Sequence, residues 1–475
     1  MVAVKSPING LSESPHVTIS VKGNIDIMQR MNRKMSTELT RIGEKARKEL
    51  RLVFTSLYHH VSDVDNLRGC YESLDAGKAK GVDGMDKAEY GKNLEVNLSD
   101  LSDRLKRMGY RPKPKRRSYI PKPGSEKGRP LGISSFEDKI VELSVKRVCE
   151  PLFEPLFEGC SYGYRAGLSP HNCIEALGRT IQQKRVSHIV EADIRSFFDK
   201  VNHEWLMKFM EQRIGDNRML RLLWRMLKAG VMEDGLVKAS DGGTAQGSIL
   251  SPLLSNVYLH YVLDLWVRLR VQKESKGEVH YFRYADDFLA CFQYQSDAEM
   301  FLKAVGERLE SFGLSLAKEK TRRISFGRFA REDAYREGAT PEEFTFLGFT
   351  FYCGKTRNGY FKVKRKTSRK KLVTALRNFR DWAEKACRKI PKVEMIRHGK
   401  SKVQGHLNYY AITDNGEKCT VYLRVAERIL LKWLNRKSQR KAYTWETFKQ
   451  VLNQLRWPRV KIKAMSPFES TAAAH

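Results

Sequence analysis

The sequence predicts an α+β fold: antiparallel sheet with packed helices, followed by a mainly helical C-terminal part. Three observations carry this. Short apolar runs of strand length, at 188–193 and 279–292, are bounded by turn residues. Longer stretches around them keep helical spacing of their apolar residues. After Gly354 the strand signals give way to an amphipathic and strongly basic helical pattern.

Taken in order, residues 1–22 carry Ser, Pro, Gly and Asn and read as a frayed start. Residues 24–75 read as helical, interrupted near His59–Asp65. The prolines 112, 114, 121, 123 and 130 forbid a long helix over 111–130. Tyr119–Ile120 and Leu131–Ile133 are expected as two strands joined by a turn at Gly124–Gly128, with a helix over Glu137–Val148. His188 to Asp193 reads as a buried strand, and Trp205 to Leu227 as a helix stopped by Gly230. Residues 279–292 read as a hairpin with Asp286 and Asp287 at its tip. Ser296 to Gly313 is expected as a helix with a Ser296/Glu299 capping box, its apolar face formed by Phe301, Val305, Leu309 and Phe312. Leu372, Leu376, Phe379 and Ala383 form one helical stripe flanked by Lys371, Arg377 and Arg380. A domain boundary is expected near 355–368.

The 475 residues hold 87 Lys and Arg against 55 Asp and Glu, a net charge of +32. A hydrophobic share of 41% excludes a disordered basic tail, and the charge points to a polyanionic partner, nucleic acid. The charge is concentrated: 18 basic against 3 acidic residues over 355–405, and 11 against 1 over 104–130. No run approaches the roughly 18 apolar residues of a membrane span, and no secretory signal is visible. The eight cysteines are scattered without C-x-x-C pairs, which suits a reducing interior and argues against zinc ribbons. The histidines form no metal-ligand pattern, and His398 and His406 are expected to contact RNA or cap structure.

Asp193 ends an apolar strand, and Asp286 and Asp287 cap an apolar hairpin. Carboxylates in such places are costly unless solvated, paired or bound to metal. One such Asp would be a turn cap. Three of them in a strongly basic chain point to a site for Mg²⁺, with Mn²⁺ as the alternative, since both prefer oxygen ligands. Two hard cations about 4 Å apart clamp the attacking and leaving oxygens of an in-line phosphoryl displacement. The chemistry implied is nucleotidyl transfer or nucleic-acid hydrolysis.

Tyr284-Ala-Asp-Asp287 resembles the catalytic box of reverse transcriptases. Alone it is a weak signal, but further blocks follow in order. Gly81-Val-Asp-Gly84 resembles the block before the fingers; Tyr119-Ile-Pro-Lys-Pro123 through Gly128-Arg-Pro-Leu-Gly-Ile133 resembles the first fingers block. Cys160-Ser-Tyr-Gly-Tyr-Arg-Ala-Gly167 resembles the second, and Asp193-Ile-Arg-Ser-Phe-Phe-Asp199 the first catalytic block. Gly243-Thr-Ala-Gln-Gly-Ser-Ile-Leu-Ser-Pro252 resembles the nucleotide-side block, and Ala317-Lys-Glu-Lys-Thr321 and Phe346-Leu-Gly-Phe349 the last palm blocks. Gln404-Gly-His-Leu-Asn-Tyr-Tyr410, Trp433-Leu-Asn-Arg-Lys437 and Tyr443-Thr-Trp-Glu446 resemble the maturase domain of group II intron-encoded proteins. The resemblance spans roughly 40–462 and is to bacterial group II intron-encoded reverse transcriptase/maturases.

That resemblance implies a right-hand polymerase fold, with fingers and an antiparallel palm sheet, plus a helical thumb/maturase domain. The expected divisions are a helical, RNA-binding N-terminal extension over 1–75, fingers and palm over 76–355, thumb/maturase over 356–465, and a short tail over 466–475 without an HNH endonuclease domain. Asp193, Asp286 and Asp287 are the implied catalytic residues, binding two Mg²⁺ ions together with the Ile194 carbonyl. Asp199 reads instead as a cap for the helix beginning near Asn202–His203. Lys122, Arg129, Phe198, Gln246, Gly247 and Lys320 are assigned to the incoming dNTP. The Phe198 ring would exclude a 2′-OH; Phe197 would face the core; Lys320 would protonate the leaving pyrophosphate, a solvated surface Lys being the alternative. Tyr162 and Arg165 are expected to position template. RNA contacts are expected from Arg165, Lys364, Arg365, Lys366, Arg369, Lys370, Tyr409, Tyr410, Arg436 and Lys437, the two tyrosines packing the thumb core in the plainer reading.

The implied partners are group II intron RNA, an RNA template with DNA primer, dNTPs, and a DNA target reached as a ribonucleoprotein. The implied setting is the bacterial cytosol and nucleoid. The implied function is RNA-directed DNA polymerisation with assistance to intron splicing and retrohoming. A splicing-only maturase and a host-domesticated relative serving repair or antiviral defence are the alternatives.

Overall fold

The computed structural model describes residues 37–120, 128–233, 236–238, 242–244, 246–436 and 442–464. The fold is α+β. Eleven strands lie among the described residues: β1 (Lys115–Ile120), β2 (Arg129–Ile133), β3 (His188–Ala192), β4 (Val231–Glu233), β5 (Leu236–Lys238), β6 (Val279–Tyr284), β7 (Asp287–Phe292), β8 (Arg322–Ser325), β9 (Phe344–Phe346), β10 (Phe349–Lys355) and β11 (Phe361–Thr367). The chain divides into two compact units, one drawn from residues up to 120, 128–157 and 198–258, the other from 158–197 and 259 onward.

The first unit carries the sheet β2-β1-β4-β5. β1 and β2 pair antiparallel from Arg116↔Ile133 to Ile120↔Arg129, which is the expected hairpin extended at its base. The helix Phe136–Phe153 buries Ile140, Val141, Val145, Val148 and Leu152, one apolar face at helical spacing. The helical pattern expected over 205–227 is two helices, His203–Glu211 and Asn217–Lys228. The break has a polar cause. Asp216 caps the second helix, and its other carboxylate oxygen accepts from Leu57 and Tyr58 N–H at 2.8 Å. The buried Arg213 donates to the carbonyls of Ala46, Glu49 and Leu152. Among the N-terminal helices the break at Asp63 falls inside the expected interruption, whereas the longer non-helical stretch at 49–57 was not expected. Residues 24–36 lie outside those described.

The second unit carries the sheet β6-β7-β3-β8 and the sheet β11-β10-β9, antiparallel throughout. β3 is central, and Ile189, Val190, Leu289, Ala290, Cys291 and Phe292 are fully buried. The helix Gln295–Glu310 starts at a Tyr294 cap without the expected capping box. Its Phe301, Val305 and Leu309 are buried as the spacing predicts. The basic stretch at 355–368 is mostly strand. β10 and β11 pair from Phe349↔Thr367 to Lys355↔Phe361, and the helical stripe begins at Arg369. Alternation along β11 explains the composition, with Val363 and Thr367 buried and lysines at 362, 364 and 366 on the opposite face. Helices Arg369–Lys389, Lys392–Tyr410, Gly416–Asn435 and Trp445–Gln454 then share a core that includes Phe379, Ala383, Leu407, Leu430 and Phe448.

One ion pair in this unit is fully desolvated. Arg283, the penultimate residue of β6, and Asp264 are both 0% exposed. The guanidinium meets both carboxylate oxygens and also donates to the Ala285 carbonyl at 3.0 Å. Removing one member of a buried pair strands the other charge, at about 3–5 kcal/mol. Asp264→Ala should therefore lower the unfolding free energy by about that much. Asp264→Asn, which keeps an acceptor, should lose less; denaturant titration of both full-length variants checks the order.

Candidate active site

The site is built from two strand ends. β3 is hydrogen-bonded on both sides, to β7 and β8, so its direction is fixed up to Ala192. Asp193 follows at once, and its carbonyl accepts from Ala317 N–H at 2.8 Å. Ile194 bridges Leu316, while the bonds on either side are made by Asp193 and Arg195. In that pattern the Ile194 N–H and C=O are not spent on the bridge.

The β6–β7 hairpin turns in two residues, Ala285 and Asp286, between the pair Tyr284↔Asp287. Ala285 has φ +57, a left-handed conformation that an alanine adopts only under constraint. The constraints are visible. Arg283 holds the Ala285 carbonyl. The backbone of Arg283 pairs with Cys160 and Tyr162 at 2.8 Å. Gly163 lies so close that a Cβ there would be 2.2 Å from the Ala285 nitrogen. The block 160–167 thus acts as a buttress for the turn. Arg165, expected at template RNA, donates instead to the Glu158 and Ser161 carbonyls at 2.8 Å and braces that same block.

β3 and β7 pair Ala192 with Phe288, and the next pair in this register is Asp193 with Asp287. The carboxylates are therefore brought together. Asp287 is pushed up to about 6, by burial and then by the negative charges of Asp286 and Asp193, with Lys320 opposing. Its side chain still reaches solvent, so the neighbouring charges are the firmer cause. The Lys320 ammonium sits on the Asp193 carboxylate, which raises the Lys320 pKa. Glu191, one pleat behind, is also raised by burial and is paired with Arg322 at 3.1 Å.

Among the described residues no three His, Cys, Asp or Glu side chains are gathered tightly enough to hold a metal ion as they stand. The donor chemistry nevertheless fits a hard divalent cation. The donors are oxygens, their charges repel, and a lysine ammonium already lies on one of them.

Of the residues assigned to the nucleotide, Lys320 lies in the unit of the carboxylates, whereas Arg129, Phe198, Gln246 and Gly247 fall in the other. Phe198 is the second residue of a short turn of helix, Phe197–Lys200, and its carbonyl accepts from Thr244 N–H at 2.6 Å. Its ring lines a cavity of about 390 Å³ with Asp199, Thr244, Ser248, Lys115 and Arg117. Asp199 is not the expected helix cap; Asn202 takes that role, accepting from Trp205 N–H at 3.0 Å. The Gln246 carbonyl accepts from Gly132 N–H at 2.7 Å. Gly247, at φ +103, lies against the same strand, so a side chain there would be strained. Arg129 opens β2 and is exposed. Lys122 lies outside the described residues, as does Lys437. Sequence reasoning missed Glu142, a buried carboxylate that accepts from Ser134 Oγ at 2.8 Å and Ile249 N–H at 3.0 Å and pairs with Lys115. It missed Arg283 and Asp264 too, although an arginine inside an apolar strand was a legible signal.

The residues assigned to RNA separate into two groups. Arg369 and Lys370 are exposed, and Lys364 and Lys366 are half-buried, Lys366 pairing with Glu343 at 2.7 Å. Arg365 is on the core side of β11, its guanidinium against Gly178, and burial lowers its pKa. It is thus withdrawn from the surface on which it was expected. Tyr409 donates to the Leu347 carbonyl at 2.8 Å and stacks on Phe349. Tyr410 packs on Phe349 and closes over Gly348. Both rings are engaged in protein packing. His406 lies flat on Tyr422 and is lowered to about 4 by burial, which also removes it from an RNA surface. Arg436 lies over the Trp433 ring.

Residues 120–351 match the reverse transcriptase (RNA-dependent DNA polymerase) family. The chain is 35% identical over 245 residues to group II intron-encoded protein LtrA of Lactococcus lactis subsp. cremoris, covering 51% of this chain and 40% of that protein. It is 38% identical over 237 residues to protein YkfC of Escherichia coli (strain K12), covering 44% of this chain and 62% of that one. A third relative, an uncharacterized 91 kDa protein in a cob intron of Schizosaccharomyces pombe, is 33% identical over 189 residues. The stretch matched to the family contains β3, β6 and β7, and with them Asp193, Asp286 and Asp287. Residues 120–351 thus carry a reverse transcriptase domain, and the chain is similar to group II intron-encoded proteins.

A carboxyl that titrates higher when folded than when unfolded costs stability at neutral pH. The cost fades as pH falls through about 6 toward the ordinary value of 3.8. Asp287→Asn should therefore raise the melting temperature of the metal-free protein at pH 8. The gain should disappear near pH 4, which thermal unfolding across pH checks.

Proposed function

We propose that the chain is an RNA-directed DNA polymerase that also binds group II intron RNA, assisting its splicing and its reverse transcription after insertion. The observation that carries this is the convergence of Asp193 and Asp287 in one register beside the Asp286 turn, with Lys320 on Asp193. Asp193, Asp286 and the Ile194 carbonyl would hold two Mg²⁺ ions, with Asp287 the weaker ligand and Mn²⁺ a substitute. When bound, such ions lower the pKa of an attacking primer hydroxyl and stabilise the charge developing on the phosphoryl group.

The chain's own residues do the remainder. Arg129 and Lys122 are assigned to the triphosphate, a planar fork and a point charge suited to phosphate oxygens. Gln246 and Gly247 are assigned to the base pair being formed, where glycine lets backbone approach substrate. Phe198 is assigned to the sugar, blocking a 2′-OH. Lys320, held above its ordinary pKa by Asp193, is fully charged at neutral pH and is assigned to donating a proton to the leaving pyrophosphate. Residues 356–465 are assigned to intron RNA as a thumb/maturase domain, and residues 1–75 to an RNA-binding extension.

The proposed partners are an RNA template with DNA primer, dNTPs, intron RNA, and a DNA target met as a ribonucleoprotein in the bacterial cytosol. No described helix is long and apolar enough to cross a membrane.

Asp286→Ala should abolish Mg²⁺-dependent primer extension on an RNA template while leaving RNA affinity nearly intact. The carboxylate acts in the chemical step, whereas affinity comes from phosphate contacts elsewhere. Extension at the parental rate by this variant would remove the assignment.

Phe198→Ala should polymerise and should incorporate ribonucleotides more readily than the parent does. Competition between matched ribo- and deoxyribonucleotides measures this, and parental discrimination would place the gate at another residue.

A further inference from the structure

Between β8 and β9 the chain makes a short helix, Ala330–Arg336, in which no residue is buried. Beside it opens a concavity of about 820 Å³, whose other wall comes from the turn joining β10 and β11. Three aromatic rings on this surface stand in water: Phe329 is 58% exposed, Tyr335 86% and Tyr360 74%. Such exposure leaves the rings of Tyr335 and Tyr360 little packing work within the fold. The cations in the same lining are Arg328, Arg331, Arg336 and Lys355, against the single carboxylate of Glu332. None of these residues belongs to the carboxylate set or to the nucleotide-side block.

Exposed rings set among arginines form a stacking platform for unpaired bases, with the guanidinium groups meeting the phosphates between them. A duplex hides the faces of its bases and offers such rings nothing to stack on. We propose that this concavity binds single-stranded nucleic acid, one or two bases lying on Tyr335 and Tyr360 while Arg331, Arg336 and Lys355 hold the backbone. The two rings come from separate elements, the end of a helix and a hairpin turn at Gly359 (φ +81), so they can take successive bases. The site is independent of the polymerase assignment. It would hold a strand outside the region being copied.

The test uses the full-length protein loaded with saturating RNA–DNA template–primer duplex and no dNTPs. A fluorescent oligouridylate is then titrated in, and an oligothymidylate in a parallel arm. The loaded parent should bind a further oligonucleotide. Tyr335→Ala with Tyr360→Ala should weaken that binding roughly tenfold. Tyr335→Phe with Tyr360→Phe should retain it, because stacking needs the ring and not the hydroxyl. Arg331→Gln with Arg336→Gln should flatten the log–log salt dependence by about 0.7 per lost phosphate contact. Primer extension on the preloaded duplex should be unchanged in all of these variants, separating this site from the palm. A preference for the ribo-oligomer over the deoxy-oligomer would identify RNA as its strand; equal affinity would mark a site for either. If the loaded parent binds no further oligonucleotide, or if the alanine pair binds as the parent does, the proposal is overturned, and in the latter case the rings are left as a protein-docking face.

Discussion

Arg283 carries a charge in the interior of a β-strand from which water is excluded, and it keeps that charge because Asp264 meets it there. Everything at the catalytic turn follows from this pairing. The same guanidinium that neutralises Asp264 pins the Ala285 carbonyl, and the backbone of Arg283 fastens the strand to Cys160 and Tyr162. An alanine is thereby kept in a left-handed conformation that it would otherwise leave at a gain of roughly 1–2 kcal/mol. With Ala285 fixed, Asp286 and Asp287 have a fixed origin. A hydrophobic isostere of the ion pair could fill the same volume, but it could not hold the turn carbonyl.

The second requirement is to bring like charges together. The β3–β7 ladder runs to Ala192↔Phe288 and leaves Asp193 and Asp287 as the next residues along it; burial, then the charges of Asp286 and Asp193, displace the Asp287 carboxyl toward neutral pH. The backbone of the sheet is hydrogen-bonded and the one buried charge of β6, Arg283, is paired, so the repulsion falls at the strand ends. Lys320 moderates it from one side.

The strands that carry the acids were legible in the sequence, because their apolar runs are strong and their turn residues unambiguous. The fingers hairpin was legible for the opposite reason, since its prolines excluded the alternative. What was not legible depended on contacts between distant segments. The helix expected over 205–227 breaks at Asp216 because Leu57 and Tyr58 draw on that carboxylate. Arg365 looked like its basic neighbours, yet strand alternation turns it toward the core while Lys364 and Lys366 face the other way. Tyr409 and Tyr410 could be read as base-stacking rings until Phe349 and Leu347 were seen to hold them. Order and identity of the blocks pointed to the family; Arg283 and Asp264, the ion pair that stiffens the β6–β7 turn, lay between the blocks.

The pairing of β3 with both β7 and β8 has a consequence for how the protein is made. A ribosome releases β3 long before either partner strand, so its two hydrogen-bonding edges and its apolar faces wait unprotected while a long stretch of chain is still being added. The β6–β7 hairpin, by contrast, closes locally as soon as it emerges. The central strand has both of its edges paired only when β8 arrives. Until then the growing chain is a candidate for chaperone binding at β3, and growth conditions that slow synthesis through this region lengthen that window.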